Sequence, residues 1–232
     1  MKHPGGSKSN SSRNATSAQY DEKPSPYFEG VNARIASLIP TDHRARILEI
    51  GCGAGLTGAA IIAAGKAADY VGIELNDAAA AKAADRLSRV IVGDVETLDL
   101  GSVGKEFDGL IASEVLEHLI DPWRTLRRLV KSVKLGGFVI CSSPNIANRQ
   151  TISALLCGRF DYTDRGVMDR THLRWFTPKS LAQLVIDAGV EVSIVEPLVP
   201  LRPRARIVDA VTRRHFQHLF HNQTVVFGQR VR

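Results

Sequence analysis

Strands and helices alternate along most of this 232-residue chain, a glycine cluster joins the first strand to the helix after it, and 44% of the residues are hydrophobic. These observations predict an α/β protein: a doubly wound, mostly parallel seven-stranded sheet with helices on both faces. Alternation implies parallel pairing, because each right-handed crossover returns the chain to the same edge of the sheet. The apolar fraction suffices for one sizeable core. With 23% charged and 6% aromatic residues, whole-chain disorder, collagen and coiled coil are excluded.

Residues 1–26 hold six Ser, three Pro and two Gly with little that is apolar, and are expected to form a disordered arm. A single domain is expected over 27–232. Phe28, Val31, Ile35, Leu38 and Ile39 recur at helical spacing and Pro40 closes the run. RILEI (46–50) reads as a buried strand, followed by GCGAG and a helix from Leu56 to Ala64 that stops at Gly65. Strand 69–74, helix 77–87, strand 89–93 and strand 107–112 follow. Asp121 and Pro122 then start a helix expected to bury Trp123, Leu126, Leu129, Val130 and Val133. GGFVICSS (136–143) is the next strand. Thr177 and Pro178 repeat the start signal before a helix ending at Gly189, and strands at 190–196 and 223–231 complete seven strands and about six helices.

No apolar run approaches the roughly 18–20 residues needed to span a bilayer, and the polar N-terminal stretch lacks the hydrophobic centre of a signal peptide. A cytoplasmic location is expected. Cys52, Cys141 and Cys157 show neither CxxC nor zinc spacing and suit buried thiols in a reducing compartment. Net charge is +6, and residues 201–232 carry all of it, with seven Arg against Asp209. Groove-tracking nucleic-acid binders spread basic residues over a folded face, so a nucleic-acid partner is not expected. A local anion-attracting patch and a solvated helix face plus a charged last strand both explain these arginines.

A glycine turn between a first strand and helix lets the backbone approach a ligand closely. The dinucleotide spacing GxGxxG needs glycine at 51, 53 and 56, but Leu56 stands there and Gly55 gives GxGxG; no Lys-Ser/Thr follows to make a P-loop. Glu74 ends the second strand, 23 residues after Gly51, and Asp94 follows the third strand 20 residues later. In a parallel sheet both carboxylates open on the same crevice, one placed for the two hydroxyls of a ribose and the other for the amino group of adenine. Together they describe an adenosine site.

These stretches resemble the class I S-adenosylmethionine-dependent methyltransferases, with their Rossmann-like fold. ILEIGCGAG is similar to that family's first motif, IEL with Glu74 to the second, GDVE with Asp94 to the third, and FDGLIASEVLEHLIDP with GGFVICSSPN to the fourth and fifth. The resemblance covers roughly residues 27–196. It implies S-adenosylmethionine as cofactor, with Gly51, Gly53 and Gly55 along the methionine part, Glu74 at the ribose and Asp94 with Val95 at the adenine; Glu49, Leu75 and Ser113 complete the implied contacts. EVLEHL and DRTHLRWFT look most like the branch holding ubiquinone-biosynthesis O-methyltransferases and methyltransferases of bacterial surface-sugar assembly.

For the reaction, Glu114, Glu117 and His118 stand at i, i+3 and i+4, on one face of a turn after the fourth strand, and His172 is their expected distant partner. In one reading His118 or His172 is a general base, with Glu117 beside it, since an imidazole titrates near neutrality. In a second, Glu114, Glu117, His118 and His172 hold a divalent metal. That reading gains from a likeness to the small-RNA 2′-O-methyltransferases, although Leu119 stands where those carry a further His. In a third, both acids face solvent and His118 caps a helix.

The segment 143–176 is too long for a plain connection and is expected to form an acceptor lid. Phe160, Tyr162, Trp175 and Phe176 with Arg159, Arg165, Arg170 and Arg174 suit a phosphate-bearing sugar, or else the rings are core and the arginines pair with Asp161, Asp164 and Asp169. Tyr27 and Phe28 are expected to close the donor site. The activity expected is O-methylation of a sugar or glycan-precursor hydroxyl. Methylation of a quinone precursor or other small phenol, and a non-catalytic S-adenosylmethionine-binding module, are the alternatives.

Overall fold

In the computed structural model of the chain, residues 32–40 and 44–232 are described. The expected N-terminal arm, the first turns of the first helix and Tyr27 and Phe28 lie outside them. The strands are β1 (Ala45–Ile50), β2 (Ala67–Glu74), β3 (Arg89–Val92), β4 (Phe107–Ser113), β5 (Val133–Pro144), β6 (Val190–Pro197) and β7 (Gln223–Arg230). They form one sheet in the order β3-β2-β1-β4-β5-β7-β6. The first five pair in parallel, while β7 runs antiparallel to both β5 and β6. Strand order reverses at β1, so the crossovers from β1 and β4 leave for opposite faces and a crevice opens beyond their carboxyl ends.

Eight helices accompany the sheet among the described residues: α1 (Ala33–Leu38), α2 (Leu56–Ala63), α3 (Asp77–Ala84), α4 (Leu100–Val103), α5 (Pro122–Val130), α6 (Arg149–Leu156), α7 (Pro178–Asp187) and α8 (Pro203–Val211). Their start signals are local. Asp121 accepts a hydrogen bond from the amide of Arg124, and Thr177 and Ser180 form a reciprocal capping box. Alternate strand residues face opposite ways, so the sheet has a core on each side. On one side Leu48, Ile50, Leu110 and Val139 pack with Leu126 and Leu129 of α5 and Leu181 of α7. On the other, Ile47, Tyr70, Ile111 and Ile140 pack with Ile35 of α1 and Ile61 of α2. Among the described residues no helix is long and apolar enough to cross a membrane.

Several expectations need correction. The short helices α4 and α6 raise the count above six, because a four-residue turn and a helix inside a polar connection leave little periodic signal. Trp123 is 43% exposed, since it stands at the first turn of α5 and only borders Phe176, and Val133 belongs to β5 instead of that helix. Cys52 and Cys141 are buried, but Cys157 sits exposed at the end of α6.

Gly109 of β4 shows how tightly the central strands are filled. A Cβ there would lie 2.0 Å from the ring of Phe138, on the neighbouring strand β5. Gly109→Ala is therefore expected to destabilise the fold by about 1–3 kcal/mol or more, an overpacking penalty to be read from urea unfolding.

Candidate active site

A cleft of about 810 Å³ occupies the crevice at the β1/β4 reversal, lined by Glu49, Gly51 and Gly53 from β1 and its turn and by Ser113, Glu114 and Glu117 after β4. Gly51, Gly53 and Gly55 have φ of +64°, +54° and +77°, the left-handed region open to glycine. At Gly51 a Cβ would also come within 3.0 Å of Val115. The turn thus presents Gly51 and Gly53 to the cleft without side chains, while Gly55 packs tightly against Ala83 and Leu87.

Glu74 at the end of β2 is buried, and its carboxylate accepts hydrogen bonds from the amides of Gly53 (2.8 Å) and Asn76 (2.9 Å). Burial raises its pKa against the lowering effect of those amides and that of Leu75. Glu74 so braces the glycine turn from behind. Leu75 is half-buried, Asp94 accepts from the amide of Glu96, and Val95 is packed in the core. These four follow one another after β2 and β3, and none of them lines the cleft, contrary to the expectation that both carboxylates open on it, because the Glu74 carboxylate is taken up by the Gly53 and Asn76 amides and that of Asp94 by the Glu96 amide. Glu49 accepts a hydrogen bond from the Tyr70 hydroxyl at 2.9 Å, and desolvation pushes its pKa up to about 7. The Ser113 and Ser142 hydroxyls lie 3.0 Å apart, and the Asn32 side-chain amide donates to Ser113.

A 3₁₀ turn, Leu116–His118, follows β4. The Glu117 carbonyl accepts from the amides of both Leu173 (2.8 Å) and Arg174 (3.0 Å), which draws the far end of the 143–176 segment onto this turn. His172 is thereby set against His118, ring centroids 4.8 Å apart and edge to face. Ligand atoms of Glu117, His118 and His172 all lie within 4.8 Å of one another. The Nδ1 atoms face backbone carbonyls, Thr171 for His118 at 3.2 Å and Val167 for His172 at 3.1 Å, so the neutral rings donate there and carry their lone pairs on Nε2. Glu117 is 1% exposed and accepts from the Ser143 hydroxyl. Its pKa is driven well above the usual carboxylate range by burial first, then by the charges of Glu114 and Asp169.

The reading in which both acids face solvent is overturned by this burial. Glu114 also parts from its expected group: with φ of +54° its carboxylate turns to the Ser142 hydroxyl (2.9 Å) and the Gln223 amide (2.7 Å), leaving three residues in the close cluster. Asp169, buried and accepting from the Thr171 amide and hydroxyl, was missed. The D-x-T spacing of an Asx motif was its available signal. Arg34, Asn32, Thr57 and Gln223 also line the cleft; nothing local in the sequence marks them. The aromatic-arginine reading of the lid changes as well. Phe160, Tyr162 and Trp175 cluster with one another outside the cleft, while Arg159 and Arg170 pair with Asp161 and Asp164.

Glu49 gives the site a pH signature without donor present. A buried carboxyl raised from 4.5 to about 7 keeps its proton in the folded state, so its contribution to stability is present below pH 4.5 and lost as pH rises through 7. The loss is about 3 kcal/mol. Glu49→Gln is expected to flatten the stability-pH curve over that window, as read by chemical unfolding.

The family model described as a methyltransferase domain matches residues 24–193. The chain is 30% identical over 152 residues to a ubiquinone biosynthesis O-methyltransferase of Cereibacter sphaeroides, covering 63% of this chain and 60% of that protein. It is 33% identical over 171 residues to the Azorhizobium caulinodans protein of the same name, covering 70% and 66%. The chain thus spans less than two thirds of the length of these relatives. A solved S-adenosylmethionine-dependent methyltransferase from Archaeoglobus fulgidus superposes with a TM-score of 0.63 over 88% of this chain and 96% of that one, at 17% identity, a likeness of fold. Glycine turn, strand-end acids and the matched family model agree: the chain belongs to the methyltransferase-domain family, in its class I, S-adenosylmethionine-dependent form.

Proposed function

We propose that the chain is an O-methyltransferase whose acceptor is an uncharged ring hydroxyl, best represented by the phenol of a quinone precursor. The observation that carries this reading is the cluster of Glu117, His118 and His172 at the cleft that also holds the glycine turn. Among the described residues four acids, Glu49, Glu114, Glu117 and Asp169, line this cleft and Arg34 is its one guanidinium, a lining with little to pair with a phosphate-bearing acceptor of the kind expected from the sequence. Val167, Leu198 and Val199 offer apolar wall to a ring. The names of the relatives agree with a quinone precursor. A sugar hydroxyl is the second reading, favoured by the same carboxylates, which accept hydrogen bonds from polyols.

S-adenosylmethionine supplies an already electrophilic methyl on its sulfonium, so the protein's work is alignment and handling of the acceptor proton. Gly51 and Gly53, whose missing side chains let the donor come close to the backbone, together with Glu74 and Asp94 bind the donor, and Glu49 lies where a carboxylate attracts its ammonium. The donors of the histidine cluster fit a divalent cation: Nδ1 donation orients both rings, Ser143 orients Glu117, and two more acids supply negative charge nearby. Such a cation supplies Lewis-acid polarisation of the acceptor hydroxyl. His172, lining the cleft, takes the proton if the imidazoles act alone. The 143–176 segment carries His172 and serves as acceptor lid.

Three measurements test these assignments. Calorimetry with S-adenosylmethionine is expected to show Glu74→Ala binding weaker by about 1.5–3 kcal/mol; unchanged affinity removes Glu74 from the donor site. EDTA is expected to stop turnover but spare donor binding, with Mn²⁺ restoring activity and Glu117→Ala as harmful as His118→Ala. Turnover indifferent to EDTA, with His172→Ala slower by about 10²–10⁴, would assign a base instead. Catechol-type phenols set against simple glycosides in the same assay decide the acceptor.

A further inference from the structure

Helix α8 is built inside out. At about 100° per residue, Ile207, Val208 and Val211 share one arc with Arg204, while Ala205 and Asp209 point the other way. In a helix docked on a core the apolar arc would face inward. Here Ile207, Val208 and Val211 are 66%, 42% and 78% exposed, and no residue of the helix is buried. Asp209 is turned toward the protein instead: one carboxylate oxygen accepts from the Gln217 side chain at 2.8 Å, and the other is buried with no hydrogen-bond partner among the described residues. Orienting the helix this way forgoes apolar burial that Ile207 and Val211 would provide on the protein's own surface.

The surroundings of this face are basic. Arg204 stands within the arc, Arg206 on the opposite side of the helix, and Arg202, Arg213 and Arg214 at the two helix ends; Arg213 and Arg214 hold left-handed backbone (φ +49° and +64°) just after the helix that turns the chain back, and Arg214 lies 3.9 Å from Glu196. These are five of the seven arginines that give residues 201–232 their excess charge. Val199, exposed and also lining the cleft, leads directly into the helix, so the apolar strip continues to the rim of the active site.

We infer that α8 docks the protein on an anionic lipid surface, with Ile207, Val208 and Val211 entering the headgroup boundary and the arginines meeting lipid phosphates. An outward apolar arc with one arginine within it and others at both helix ends is the pattern of a helix lying in a membrane interface, where long basic side chains reach up to headgroups from beside buried apolar ones. A second copy of the chain is a poorer occupant, because two such faces would oppose arginine to arginine. The inference stands apart from the identity of the acceptor.

The test is co-sedimentation of the full chain with vesicles of mixed phosphatidylglycerol and phosphatidylcholine, and with phosphatidylcholine alone. Binding is expected to the anionic vesicles only and to fall with added salt. Ile207→Asp/Val211→Asp is expected to abolish it while leaving thermal unfolding and S-adenosylmethionine affinity unchanged, as neither side chain joins the core. Arg204→Gln/Arg213→Gln is expected to weaken it by about fivefold per arginine. The inference is overturned if the full chain binds no vesicle. It is overturned equally if the aspartate pair leaves binding intact, which would show bulk charge attraction only, or if light scattering shows a dimer that this pair dissociates, which would make the occupant another copy.

Discussion

Between β1 and β4 the crossovers part to opposite faces of the sheet, and the site hangs on that parting. Parallel strands all deliver their carboxyl ends to one end of the sheet, and a crevice opens there where neighbouring crossovers go to opposite faces, at the reversal of strand order. The glycine turn after β1 forms one wall of the opening and the Ser113–Glu117 stretch after β4 the other. Glu49, Glu114 and Glu117 sit on those walls, and His172 is drawn to them. The rest of the sheet, with a core on each face, keeps the walls at a fixed separation.

How legible this was in the sequence varied with the range of the interactions involved. The glycine turn could be read directly, because a left-handed backbone at 51, 53 and 55 is a local demand that only certain residues meet. Strand-end acids were legible through their register with that turn. The pairing of His172 with His118 rests on residue type and family likeness, not on local pattern: the amides of Leu173 and Arg174 that fix it donate to the Glu117 carbonyl more than 50 residues away, and backbone groups carry no sequence signature. Glu114 was misplaced for the same reason, since helical spacing does not anticipate a left-handed kink that turns its carboxylate to Ser142 and Gln223. Trp123 and Cys157 deceived because side-chain type records only an average preference for burial.

The cleft concentrates carboxylates in a way that folding alone would not favour. Glu49, Glu74 and Glu117 are all buried, and burial raises the pKa of each. Each has a different form of compensation: a phenol for Glu49, backbone amides for Glu74, a hydroxyl for Glu117. Neutral donors of this kind hold a carboxylate in place without cancelling its charge, and the site keeps an appetite for positive ligands. A sulfonium, an ammonium or a divalent ion would each relieve it.

The position of β7 bears on the order in which the chain can fold. Among the described residues β6 pairs with β7 alone, and β7 also closes the free side of β5. Until residues 223–230 leave the ribosome, β6 has nothing to pair with and the edge of β5 stands open, although β1 to β5 could already have assembled. A nascent chain paused before that point would carry unsatisfied strand edges of the kind that chaperones bind and that aggregates propagate.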